Sequence, residues 1–396
     1  MQPLKRYDLT IIGAGIMGLA CAYEYSKIYP DQSILVIEKE SSEAEHASGR
    51  NSGVLHAGFY YTEDSLKARY CVEGNQLMKR FCEQYQIPVL NCGKLVIAKN
   101  DNEVQTLNEL YSRGLANKVP VELLDLNQTA QIDPNVRTHQ LSLWSPSTAS
   151  VDPKKVCGKL KEILLKRGVE FKFDTKVNKL HSNHLVTSRG IFNFDRCLNT
   201  AGLYADKLAH QMGVGKNYQI LPFKGLYLRY KGSNNSLKTH VYPVPYSGNA
   251  FLGVHFTKTV SGDIKIGPTA TPALWRENYK GLMRFSFNEM LTIGRHQSRL
   301  ILTNAFGFRD LAFEEIKKYN HTIMISQALT MVKNMTEEFE EIPAGIRAQL
   351  LDLRTDNLVS DFVIEKQGST VHLLNAVSPA FTCSFALAKY ILEKLR

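Results

Sequence analysis

The residues from Tyr7 to Gly18 constrain this chain more than any other stretch. Tyr7 to Ile12 is a short apolar run, Gly13-Ala14-Gly15-Ile16-Met17-Gly18 follows without a break, and Leu19-Ala20-Cys21-Ala22-Tyr23 continues as a helix former. That order predicts strand, tight turn and helix. In this setting Gly13 permits the turn, Gly15 lets a pyrophosphate approach the backbone, and Gly18 lets the helix pack on the strand. The helix N-terminus presents free N–H groups and the positive end of its dipole, so it favours an anion without a cationic side chain. A second strand, expected over Ser33 to Ile37, ends at Glu38 and Lys39, and Glu38 lies twenty residues after Gly18. An acid there can accept hydrogen bonds from ribose hydroxyls. Together these features predict an α/β, Rossmann-like dinucleotide-binding domain, against the alternative of a glycine turn that binds nothing.

At 396 residues the chain exceeds the usual reach of one hydrophobic core, so at least two domains are expected. The formal net charge of +10 suits nucleic acid, an anionic membrane or acidic small molecules equally. Its Lys and Arg are scattered with no run of like charges, which argues against nucleic acid as a partner. Seven cysteines without a C-x-x-C pair suggest neither a zinc site nor a disulfide framework, so a reducing compartment and no metal are expected. Lys5 and Arg6 before the apolar run Leu9 to Ala22 mimic a secretory signal, and the glycine pattern within that run decides against it. No other stretch approaches the roughly 18 apolar residues of a membrane span.

From His46 the chain reads His-Ala-Ser-Gly-Arg-Asn-Ser-Gly-Val-Leu-His-Ala-Gly-Phe-Tyr-Tyr, dense in Gly, Ser, Asn and His, as where a loop wraps a ligand. The glycine motif alone leaves FAD and NAD open. This stretch as far as Ser65-Leu66-Lys67-Ala68 resembles the L-2-hydroxyglutarate dehydrogenase/oxidase family, one of the D-amino-acid-oxidase-like FAD-dependent oxidoreductases. Pro222-Phe223-Lys224-Gly225, His240 to Pro245, Phe251 to Thr257, Gly267-Pro268-Thr269-Ala270, Gly345-Ile346-Arg347-Ala348-Gln349 and Leu374 to Ala380 are similar to later segments of that family in the right order. Lys224 stands where the family pattern has Arg. The resemblance implies oxidation of L-2-hydroxyglutarate to 2-oxoglutarate by hydride transfer to FAD, with electrons passed to a quinone or to oxygen. It also implies that Ser48, Asn51, Ser52 and Gly53, then Val177 on the adenine side, the turn Ala201-Gly202, and Ser378-Pro379-Ala380 contact the cofactor. An oxidase of amino acids or glycerol 3-phosphate, or a nucleotide-binding module on RNA or membrane, remains the alternative at this point.

The rest of the chain predicts interleaved segments. The FAD domain is expected at 1–90, 150–217 and 341–396, and the substrate domain at 91–149 and 218–340. Helices are expected over Leu66 to Tyr85, Glu103 to Leu115, Pro153 to Lys166 and Phe381 to Leu395. Ile220 to about Thr271, rich in Tyr, Phe and Val between Gly and Pro, suits an antiparallel sheet that roofs the flavin. Gly281 to Met335 looks helical, its apolar face bordered by Arg284, Arg295, Arg299, Lys317 and Lys318. Such a face suits packing on the sheet, with peripheral contact on the cytoplasmic face of an inner membrane as the rival. A cytoplasmic location follows from either.

Oxidising a 2-hydroxy acid needs a base for the hydroxyl proton while the C2 hydrogen leaves as hydride. His56, inside the ligand loop, and His255, on the expected sheet, are the candidates among eleven histidines. A small dicarboxylate substrate needs cationic clamps, and Arg matches a carboxylate bidentately. Arg347, Lys224 and Arg50 are the expected clamps. The N-terminus of the last helix, near Ser378 to Phe381, can stabilise negative charge that develops on a reduced flavin.

Overall fold

A computed structural model describes residues 5–245 and 251–395 of the chain. The ends of the expected terminal segments, 1–4 and 396, and residues 246–250 of the expected sheet lie outside them. The first strand forms as Arg6–Ile12, the first helix as Ile16–Ile28 and the second strand as Ile34–Ile37. These strands lie in an eight-stranded sheet. Its parallel core runs Glu170–Lys172, Ile34–Ile37, Arg6–Ile12, Gly190–Asn199 and Thr370–Leu373. The hairpin Val177–Leu180 and His184–Thr187 and the strand Ile364–Gln367 add antiparallel edges.

A parallel sheet needs both faces covered, which explains the apolar first helix, buried from Ile16 to Ser26. It packs with the helices Leu66–Gln84, Pro153–Lys166 and Ala380–Leu395 in one core that includes Leu19, Phe81, Leu160 and Phe385. The ring of Tyr23 meets Phe81 and Phe385 edge-on, each at 5.7 Å between centres. Each fully buried side chain of this kind contributes about 1.5–3 kcal/mol over its exposed state.

The second sheet has ten strands and is mostly antiparallel. From one edge it runs Glu122–Leu124, Ser142–Ser145, Lys94–Ile97, His240–Pro243, His255–Lys258, Ile264–Gly267, Tyr218–Tyr230, Phe339–Asp352 and Asn357–Leu358, and the short tenth strand Thr271–Pro272 pairs with Tyr218–Tyr230 beside this path. His240–Pro243 lies parallel to Lys94–Ile97, the exception to the antiparallel expectation. The expected boundary at residue 340 is corrected. Phe339–Asp352 pairs with Tyr218–Tyr230 from Tyr230↔Phe339 to Tyr218↔Asp352, and that ladder holds the whole strand in the second sheet. The acidic run Glu337-Glu338 and Glu340-Glu341 masks the strand in the sequence. A third, three-stranded sheet joins Val54–Leu55, Ala149–Val151 and Val89–Leu90.

The segment expected to be helical contains Phe287–Thr303, Phe308–Lys317 and His321–Leu329. Ile293, Leu300, Phe308 and Ala312 pack on Leu221, Phe223 and Leu351 of the second sheet, as expected for that apolar face. The outer side still exposes Leu282, Phe287, Leu291, Leu302 and Phe313, with Leu302 at 83%. Of the basic residues named for this segment, Arg284 is paired with Glu40 and Glu277, Arg299 with Asp356, Lys317 with Glu314 and Lys318 with Glu315. Among the described residues no helix is long and apolar enough to cross a membrane. Arg276 and Asp206, at 1% and 0% exposure, tie the two halves together through bonds of 2.7 and 2.8 Å. Burial pushes the Asp206 carboxyl up, and Arg276 more than offsets this and holds it below the usual range.

Candidate active site

Ile12 is paired with Ile37 on one side and with Asn199 on the other. The turns at Gly13 and at Thr200-Ala201-Gly202 therefore leave the sheet side by side, at the carboxyl edge where α/β sheets bind ligands. Gly13 has φ +101°, and a Cβ there would sit 2.7 Å from the Thr200 carbonyl oxygen. A Cβ on Gly15 would meet Ser48 Oγ at 2.9 Å, and one on Gly18 would meet the Gly13 carbonyl oxygen at 2.0 Å. Gly15 is the N-cap of the first helix and has no side chain to cap it; Ser48 Oγ accepts from the Ile16 N–H at 2.9 Å, and no acid stands in the first turn. Such an end is suited to hold a phosphate.

The turns open into a cavity of about 1470 Å³, beyond the roughly 300–1,000 Å³ of a drug-sized site and roomy enough for a dinucleotide and a substrate together. Gly13, Gly15, Glu38, Lys39 and Val177 are in its wall, as are Ser48, Asn51 and Ser52, the turn Ala201-Gly202, and Ser378, Pro379 and Ala380. Gly18 and Gly53 shape it from outside the lining. Gly53, at φ +77°, has room for no Cβ, which would fall 2.4 Å from the Val151 carbonyl oxygen. Asn51 folds its own loop, accepting from the Gly53 N–H at 2.8 Å and donating to the Ser48 carbonyl at 2.8 Å. Glu38 accepts from the Ala14 and Glu40 N–H groups at 2.8 and 3.0 Å, so the acid also braces the turn.

An ionic network crosses the cavity wall between the two halves. Lys39 pairs with Glu277 at 2.7 Å, Arg284 with Glu40 and Glu277, and His46 with Glu40 at 2.8 Å and with the Tyr279 hydroxyl at 2.7 Å. Burial lifts the Glu277 carboxyl, while Lys39 and Arg284 bring it down to about 2. Ligating atoms of Glu40, His46 and Glu277 lie within 4.8 Å of one another, and Lys39 and Arg284 answer their charge. Arg50 belongs with this network: its Nε donates to the Glu45 carbonyl at 2.7 Å and its guanidinium lies 4.4 Å over Tyr279.

Both candidate histidines line the cavity. His255 Nδ1 lies 2.8 Å from the Gly253 carbonyl, an acceptor, so Nδ1 carries the proton and Nε2 keeps its lone pair. Its pKa falls to about 3 through burial and the field of Lys94. His56 Nε2 lies 3.3 Å from Ser378 Oγ, and its pKa is also pushed well down, by burial and then by Lys94. Arg347 lies in the same wall, 4.8 Å over Phe251, and its buried Nε has no hydrogen-bond partner among the described residues.

Lys224 is corrected as a clamp. In the strand Tyr218–Tyr230 side chains alternate, so Phe223 and Gly225 reach the cavity while Lys224 turns to the other face, 5.7 Å over Tyr319. The cation that takes its place in the wall is Lys67, which the sequence reading did not single out as a site residue. Lys67 is buried, and no hydrogen bond to its ammonium is present among the described residues. Its nearest rings are Tyr61 and Phe362, at 5.7 and 5.8 Å. Burial, then the charge of Arg347, lowers its pKa to about 7. Asp361 accepts from the Leu66 and Lys67 N–H groups at 2.7 and 3.1 Å and fixes the helix end that carries it. The clue in the sequence is electrostatic: a lysine in the first turn of a helix opposes the helix dipole.

The sequence profile of the FAD dependent oxidoreductase family matches residues 8–394. The chain is 33% identical over 402 residues to the L-2-hydroxyglutarate dehydrogenase of Escherichia coli (strain K12), covering 98% of this chain and 93% of that protein. It is 35% identical over 410 residues to the mitochondrial L-2-hydroxyglutarate dehydrogenase of Caenorhabditis elegans, again covering 98% and 93%. Among solved structures, the dithionite-reduced L-alpha-glycerophosphate oxidase of Mycoplasma pneumoniae with FAD bound superposes with a TM-score of 0.75 at 22% identity, covering 99% of this chain and 95% of that one. The glycine oxidase of Geobacillus kaustophilus gives 0.73 at 17% identity, covering 98% and 94%. These two likenesses share the fold.

Proposed function

The chain belongs to the FAD dependent oxidoreductase family, and from that premise we propose that it oxidises L-2-hydroxyglutarate to 2-oxoglutarate. The observation that carries the substrate reading is the pairing, in one cavity, of two cations without carboxylate partners, Lys67 and Arg347, with the two histidines His56 and His255. A dianion is what such a wall attracts, and a hydroxy acid is what a neutral imidazole can deprotonate.

The residues present fit FAD. The glycine cradle at Gly13 and Gly15, which a Cβ would fill, and the N-terminus of the first helix, with no acid in its first turn, would hold the pyrophosphate. Glu38, Lys39 and Val177 would hold the adenosine, and Ser48, Asn51, Ser52, Ala201, Gly202 and the stretch Ser378 to Ala380 would enclose the remainder. Gly18 and Gly53 support these contacts through the backbone. When bound, FAD supplies the acceptor for the hydride that leaves C2.

Arg347 and Lys67 bind the substrate carboxylates. An anion beside Lys67 favours its charged form, so substrate binding restores the ammonium that burial weakens. His255 takes the hydroxyl proton at Nε2. Its proton affinity rises when the dianion lies beside it, by the same rule of opposite charges. His56, held against Ser378, is the second candidate for the proton. Arg50 steadies the cofactor side of the cavity.

Electrons then pass to a quinone or to oxygen. The exposed apolar residues Leu282, Met283, Phe285, Phe287, Leu291 and Leu302 favour a peripheral contact on the cytoplasmic face of a membrane, where a quinone is found. The base assignment is tested by anaerobic rapid mixing. His255→Asn should keep FAD bound and slow its reduction by L-2-hydroxyglutarate roughly 10²–10⁴-fold, the usual contribution of a general base. Reduction at the wild-type rate in that variant would transfer the role to His56.

A further inference from the structure

Lys94 opens the strand Lys94–Ile97 and is fully buried, with an ammonium that has no hydrogen-bond partner among the described residues. Its Nζ lies 4.0 Å from the centre of the Tyr242 ring, 5.1 Å from that of Tyr60 and 5.7 Å from that of Phe59. The imidazole of His255 stacks on the same Tyr242 ring, 3.7 Å between centres and 20° between planes. One face of a phenol ring has no room for both groups at these distances, so the ammonium and the imidazole occupy opposite faces. Tyr242 and His255 line the cavity, and Lys94 stands behind them. We infer that Lys94 is a positioning residue that acts across the Tyr242 ring to hold His255 neutral, and so ready to accept a proton, and to expel the proton it gains. This rests on the reading of His255 as the base.

A lysine in this position is otherwise hard to explain. The face of a tyrosine returns to a cation only part of what the ion loses on leaving water. Burial accordingly brings the Lys94 pKa down to about 7, with Cys71 and Cys92 acting weakly the other way. The amine is thus part-charged near neutrality. Cys71 faces it from the helix Leu66–Gln84, and Cys92 from the turn before its own strand. His240 and Tyr242 lie on the adjoining strand His240–Pro243, with His56, His255 and Tyr60 completing the surround. No carboxylate is among them, so no ion pair cancels the field. All three histidines feel that field in the same direction, against the imidazolium.

The sign follows. A neighbouring cation lowers the pKa of a histidine, and a histidine base is lost as pH falls through its pKa. Removing the cation therefore moves the acid limb of the reaction to higher pH. The test uses the FAD-loaded protein carrying Lys94→Met, which keeps the bulk of the stem, and Lys94→Gln as a second variant should the first not fold. Histidine ring resonances are followed by NMR against pH, with His255→Asn assigning the signal, and the anaerobic rate of FAD reduction is followed over the same range. His255 should titrate at higher pH in both Lys94 variants, and the acid limb should rise with it. An unshifted His255 titration in a folded variant overturns the inference. A raised His255 titration with an unmoved acid limb supports the coupling and instead removes His255 as the base.

Discussion

At the scale of single residues, the reaction end of the cavity is defined by cations whose charge the protein leaves unanswered. Lys67 is the sharpest case, because its pKa of about 7 lets its charge change within the working range. Only the ammonium clamps a carboxylate, and that form is lost as pH rises through the pKa. The KM for L-2-hydroxyglutarate should therefore be flat at lower pH and climb above about 7. Lys67→Met should raise KM roughly 10- to 150-fold, the equivalent of a charged hydrogen bond worth about 1.5–3 kcal/mol, and should flatten its pH dependence. Steady-state kinetics across pH measures both, and a variant that keeps the wild-type rise assigns it elsewhere. In the sequence Lys67 stands in Ser65-Leu66-Lys67-Ala68 and Lys224 in Pro222-Phe223-Lys224-Gly225, and the residues around them do not separate the two. Which of two lysines reaches a cavity depends on strand register and helix entry, and for Lys224 a shift of one residue separates the cavity face from the opposite one.

Among the elements, the nucleotide half was the most legible, because strand, turn and helix are specified by residues close together in the chain. Each glycine there has its own reason, and the reasons can be separated. Gly15→Val should abolish FAD binding and leave the fold intact, since the added Cβ meets only the movable Ser48 hydroxyl at 2.9 Å while its methyls fill the cradle. Gly18→Val should instead compromise folding, because its Cβ would fall 2.0 Å from a backbone oxygen. Flavin absorbance per protein, read beside circular dichroism, distinguishes the two, and a flavin-replete Gly15→Val protein would displace the pyrophosphate from this turn. The strand Phe339–Asp352 was obscured for the opposite reason. Its partner Tyr218–Tyr230 lies more than a hundred residues earlier, and an acidic run at its start reads as solvent-exposed chain until the pairing is known.

At the scale of the whole molecule, the site exists only where distant segments meet. The glycine turns, the loop from His46 to Tyr61, the sheet residues His255 and Arg347, and the last helix all contribute to one cavity. The ionic network of Lys39, Glu40, His46, Glu277 and Arg284 and the buried Arg276 and Asp206 pair hold its two sides in place. Helix and strand patterns change along the chain and so predict interleaved segments, whereas the ends of each segment in the two sheets are set by long-range pairing. Together these segments are proposed to build an FAD enzyme for an L-2-hydroxy dicarboxylate. The most direct test of that proposal is the anaerobic visible spectrum of the purified protein before and after addition of L-2-hydroxyglutarate, its D enantiomer and a panel of amino acids and glycerol 3-phosphate. The expected result is a flavin band bleached by the L-hydroxy acid alone. A flavin band that survives L-2-hydroxyglutarate, or that another member of the panel bleaches instead, would contradict it.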